Sequence, residues 1–99
     1  MSRIRWTEPA EANLADLRAF IARDSRRNAN RFVRRIRDRV KQLSRFPESG
    51  SLVPEFEGLQ LREIFVGVNR IIYEFNGHEI LIHAVTHGAR RLPRRLGEV

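Results

Sequence analysis

The segment VTHGARRLPRR, residues 85–95, places His87 and four arginines where the apolar run EILIHAV ends. Groups of these types can work on a phosphodiester or dock to an anionic partner. Cleavage of RNA needs a base for the 2′-OH proton, an acid for the 5′-oxygen leaving group and cations for the charge that develops on phosphorus. His87, Glu55 or Glu63, Arg70 and Arg90 supply those types. Arg62, Arg70, Glu63 and Glu74 are equally suited to cross-strand ion pairs worth a few tenths of a kcal/mol. His83 and His87 stand four residues apart on one expected strand, which points both to the same face at roughly 13 Å separation, too far to share one ion. His83, among apolar neighbours, is expected to be a satisfied core or sheet-face histidine. With no cysteine, no Gly-rich phosphate loop and no nucleophile motif in the sequence, neither a metal nor a cofactor is expected.

The elements that must position these groups follow from periodicity. SRIRW alternates basic and apolar residues and is expected to form a short strand. TEPAEANLADLRAFIARD opens with Thr7 as helix cap, has Glu8 and Glu11 in the first turn and Pro9 early, and repeats Ala10, Leu14, Leu17 and Ile21 at helical spacing. After the polar break RDSRRNAN, a second stripe runs through Ala29, Val33, Ile36, Val40 and Leu43 until Pro47 stops it. The two form a helical hairpin. PESGSLVPEFEGLQ is the one long loop, and LREIFV, NRIIYEF and EILIHAV are short strands split by Gly67–Val68 and by Asn76-Gly77-His78. The expected class is α+β: an N-terminal strand, a helical hairpin and a three-stranded antiparallel meander in a single domain spanning 1–99. The hairpin covers one sheet face and the other stays open.

Composition bounds the partners. Nineteen basic against twelve acidic residues give a formal net charge of +7, a field that attracts nucleic acid, an acidic protein or an anionic surface. The basic set is almost wholly arginine, with Lys41 the only lysine. The second helix is the most basic stretch, though no aromatic residues interleave with its arginines as single-strand stacking would require. Neither a signal core nor a membrane-spanning run is visible, so a cytoplasmic location without membrane contact is expected.

The order of elements, together with WTEPAEANLADLRAFIARDS, the Leu43, Phe46, Pro47, Glu48, Gly50 signature, the sheet segment LREIFVGVNRIIYEF and the ending HGARRLP at 87–93, resembles the RelE/ParE superfamily of toxins from toxin–antitoxin pairs. The likeness spans nearly the whole chain. It implies one of two activities, ribosome-dependent mRNA cleavage or poisoning of DNA gyrase, and the fold does not choose between them. In nuclease members that use Glu, Arg and His, the matching positions here are Glu55, Arg70 and His87. Those members follow the histidine with tyrosine, where this chain has Gly88, and other nuclease members rely on several lysines.

The HGARRLP ending therefore resembles the ParE branch, which implies a non-nucleolytic toxin acting on DNA gyrase by protein–protein contact. On that reading no catalytic residue is favoured, and His87, Arg90, Arg91, Arg94 and Arg95 contact the target. The resemblance also implies a cognate antitoxin that wraps the helical hairpin and the sheet edge, with Leu14, Leu17, Ile21, Val33 and Ile36 as its contacts. The alternatives are a RelE-like endonuclease acting on ribosome and mRNA, and a non-toxic nucleic-acid-binding module.

Overall fold

A computed structural model of the chain describes residues 1–56, 58 and 60–88. Its elements are β1 (Arg3–Trp6), α1 (Glu8–Ala22), α2 (Arg26–Lys41), a 3-10 turn at Gln42–Ser44, β2 (Ser51–Leu52), a second 3-10 turn at Pro54–Phe56, β3 (Leu61–Val66), β4 (Asn69–Phe75) and β5 (Glu79–His87). The class is α+β, as the pattern predicts. The sheet, however, has five strands in the order β1-β5-β4-β3-β2, with β1 parallel to β5 and every other pairing antiparallel. The additional strand, β2, is a two-residue edge pairing inside the segment expected to be only loop.

Both helices start where a side-chain oxygen can satisfy an otherwise orphaned backbone donor. The Thr7 hydroxyl accepts from the Ala10 N–H and donates to the Ile82 carbonyl at 2.7 Å, which caps α1 and ties it to β5. Ser25 accepts from the Asn28 N–H, and α2 therefore begins at Arg26. The polar stretch expected to separate the helices is thus largely the first turn of α2. The stripe of apolar residues on its inner side, not its overall polarity, sets its fate.

The helical hairpin buries Ala10, Leu14, Ile36 and Val40, and the 3-10 turn after it Leu43, against Ile64, Val66, Ile71, Tyr73, Ile80, Ile82 and Val85 of the sheet. Tyr73 is fully buried, and its hydroxyl accepts the Gly50 N–H at 2.9 Å. Burial raises its pKa, against smaller opposing effects from that hydrogen bond and nearby arginines. Arg62 donates to the Glu48 and Gly50 carbonyls, so the loop after α2 is pinned from two sides. A Cβ on Gly50 would lie 2.6 Å from the Glu63 carbonyl oxygen and 2.7 Å from the Tyr73 hydroxyl. Only glycine fits there.

The outer face of the sheet is less open than the pattern predicts. Val53, Leu61 and Ile72 form a second small core, joined by Phe56 and Ala84, and the Pro54–Phe56 turn lies over this end of the face. The register between β4 and β5 contains one irregularity: Tyr73 pairs with Ile82 and Ile72 with Ala84, leaving His83 unopposed. This bulge reverses the alternation along β5. His83 shares the outer face with Glu74, its hydrogen-bond partner at 2.9 Å, while Val85 and then His87 point to the helix side. The expectation that His83 and His87 share a face is therefore corrected, because one inserted residue shifts the parity of every side chain beyond it.

Candidate functional site

The most concentrated polar chemistry among the described residues surrounds Arg70. This residue lies on β4, opposite Thr86 of β5 and Phe65 of β3, and only 5% of its surface is exposed. Glu55, on the Pro54–Phe56 turn, receives both terminal guanidinium nitrogens, with Nη1 at 2.7 Å and Nη2 at 3.0 Å from its two carboxylate oxygens. Glu63, diagonally across on β3, accepts from Nε at 3.1 Å and also from Nη2. Each of the three guanidinium nitrogens thus donates to a carboxylate, in the forked geometry that makes arginine pairing strong.

A buried cation needs such company, since removing one charge from water costs several kcal/mol unless partners replace the solvent. The hydrogen bonds that Arg70 donates to Glu55, and then to Glu63, raise its pKa well above the ordinary value against the opposing effect of burial. Arg70 is therefore a fixed cation that neither gives nor takes a proton.

Glu55 and Arg70, expected from the nuclease resemblance, are thus brought together, but as partners to each other. His87 is at the end of β5, paired in register with Asn69, and strand alternation turns it to the face opposite Arg70. Next to it, the Gly88 N–H donates to the Val68 carbonyl at 2.6 Å, which closes the strand end onto the β3–β4 turn. A Cβ at Gly88 would come within 3.0 Å of that carbonyl oxygen and 3.2 Å of the Phe65 ring. The glycine that replaces the tyrosine of nuclease members therefore stands where a larger residue would crowd its neighbours. Arg90, Arg91, Arg94 and Arg95 lie outside the described residues.

The residues expected to contact an antitoxin divide by burial. Leu14 and Ile36 face the sheet at 3% and 0% exposure, so the centre of the apolar stripe is the core itself and offers no surface to a partner. Leu17 and Val33 pack partly against that core, and Ile21 is half-buried near the hairpin end. The exposed apolar side chains that sequence periodicity did not single out include Phe20 beside Ile21, and Phe65 and Val68 next to Gly88. Their signal was present, since Phe20 lies out of phase with the buried stripe of α1 and Val68 is an apolar residue in a turn. Among the described residues no cluster of His, Asp or Glu could hold a metal ion, and no helix is long and apolar enough to cross a membrane.

The model of the ParE toxin of type II toxin–antitoxin system, parDE, matches residues 4–92. The fold is similar to a solved structure titled as the chromosomal ParDE TA system from P. aeruginosa, with a TM-score of 0.73 and 22% identity over 88% of this chain and 96% of that one. No curated protein matches the sequence.

Proposed function

This chain belongs to the ParE toxin family of type II toxin–antitoxin systems, and from that premise we propose that it poisons DNA gyrase by protein–protein contact and is neutralised by a cognate antitoxin in the cytoplasm. The observation that carries the reading is the state of Arg70. Every guanidinium nitrogen is engaged by Glu55 or Glu63, and His87 is turned to the other side of the sheet. Phosphodiester cleavage needs an acid, a base and an unneutralised cation converging on one phosphorus. A target-binding toxin needs none of these. On this reading His87, Arg90, Arg91, Arg94 and Arg95 contact the target.

The antitoxin would cover part of what the fold leaves apolar at the surface, including the exposed side of Leu17, Ile21 and Val33 with Phe20, and the strand end at Phe65 and Val68. Two assays test the target. The purified toxin is expected to inhibit gyrase supercoiling or trap cleaved DNA, and to leave message intact on translating ribosomes. Cut mRNA with gyrase untouched would overturn the proposal and make Glu55, Arg70 and His87 a catalytic set.

A further inference from the structure

The charge of this protein is not spread over its surface. α2 carries seven arginines and Lys41 against the single acid Asp38, a balance of +7. That equals the formal net charge of the entire chain, and the eleven basic and eleven acidic residues elsewhere cancel. Because successive helical residues turn by about 100°, the buried Ala29, Ile36 and Val40 define the inner side, and Arg27, Arg31, Arg34, Arg35 and Lys41 fan over the outer side, all exposed. Like charges at these i, i+3 and i, i+4 spacings repel one another and weaken a helix in isolation.

The fold does little to relieve that repulsion. Among the described residues the only ion pair made by α2 joins Arg37 to Glu11 at 3.2 Å, and the Arg37 guanidinium also stacks 4.9 Å from the centre of the Trp6 ring, away from the outer stripe. Arg27, Asn30, Arg31 and Arg34 line an open hollow of about 450 Å³. Their charge is left to solvent or to an external anion.

The chemistry of the face selects among anions. Protein interfaces bury an apolar centre within a polar rim, and the outer stripe of α2 has no apolar residue to provide one. A helix lying on a bilayer needs its apolar side for the lipid, whereas here that side is buried in the core. Single strands are gripped by aromatic stacking, and the one aromatic residue of α2, Phe32, packs inward. What remains is a polyanion with closely spaced phosphates. Duplex DNA presents one charge per about 1.7 Å of axis, and a 16-residue helix about 24 Å long lies along several of them at once. Arginine, with its forked donors, is the side chain suited to phosphate oxygens.

We propose that the outer face of α2 is a docking surface for the sugar–phosphate backbone of duplex DNA, independent of base sequence. The proposal concerns naked DNA, so it stands or fails separately from the gyrase reading. The test is anisotropy of a labelled duplex of about 20 base pairs, titrated with the purified full chain between about 50 and 200 mM salt. The expected slope of log K against log salt is about −4, for four or five phosphates engaged. Arg27→Gln with Arg31→Gln and Arg34→Gln should flatten that slope by roughly 3 and weaken binding at least tenfold at the lowest salt. Lysine at the same three positions should retain the slope and keeps the test decisive should the glutamine variant melt early.

An equal loss of charge elsewhere, Arg3→Gln with Arg5→Gln and Arg45→Gln, should change the slope by less than about one unit. Equal losses in the two glutamine triples would overturn the proposal in favour of net charge alone. Tighter binding of duplex RNA or of polyglutamate, at the same slope, would overturn it in favour of another partner.

Discussion

The carboxylate of Glu55 meets Arg70 through two nearly parallel hydrogen bonds, 2.7 Å and 3.0 Å long, across the boundary between the Pro54–Phe56 turn and the outer face of β4. This contact joins a loop to a central strand. It also decides how the most suggestive residues of the sequence are used, because a guanidinium held by Glu55 and Glu63 together is part of the scaffold.

Arg70→Ala is therefore expected to destabilise the fold by about 3 kcal/mol or more, since it removes the cation paired with the nearly buried Glu63. Urea unfolding measures the loss. Unchanged stability together with abolished toxicity would instead give Arg70 a direct functional role.

Tyr73 is the only tyrosine, so phenolate absorbance reports its ionisation alone. Burial raises its pKa above the ordinary value of 10.0, which means that the unfolded chain releases this proton at lower pH than the native one. The contribution of neutral Tyr73 to stability is complete below about pH 10 and falls as pH rises through the native value. The phenolate signal is expected to appear together with unfolding, and Tyr73→Phe to flatten the alkaline decline. A phenolate titrating near its ordinary value in the folded protein would contradict the burial argument.

Gly50→Ala forces a methyl group against the Glu63 carbonyl and the Tyr73 hydroxyl, a crowding expected to cost about 1–3 kcal/mol. The thermal midpoint should drop. Gly77→Ala provides a contrast: no neighbour lies within 4 Å of the added carbon, and the cost comes from the positive φ of 94° alone.

Arg90→Ala with Arg91→Ala is expected to abolish toxicity with the fold and antitoxin binding retained, since the proposal assigns both side chains to the target. Growth assays and circular dichroism separate the two effects. Loss of the folded spectrum would make these arginines structural.

Binding of the antitoxin to the native state alone should raise the melting midpoint, by a stabilisation of about 4 kcal/mol at a thousandfold excess over Kd. Melts with and without the partner measure it. An unmoved midpoint would remove the antitoxin from the account.

Much of the fold was legible in the order of residues. The helical stripes, the Thr7 cap, the three strands LREIFV, NRIIYEF and EILIHAV and the turns between them are written in periods of 3.6 and 2, which depend only on neighbours in the chain. The concentration of charge on α2 is legible in the same way, and family membership rested on motifs that the sequence carries openly. Tertiary structure decided what depends on distant pairing. β1 aligns parallel to β5 across more than 70 residues, and β2 exists only because β3 is beside it. The bulge at His83 sends His87 to the side opposite Arg70, and no local period announces one inserted residue. Burial divided the apolar stripe into core residues, Leu14 and Ile36, and a surface remainder. The pairing of Arg70 with Glu55 and Glu63 was decided last, by the low dielectric of a closed sheet face, where a guanidinium is stable only with carboxylates at hand.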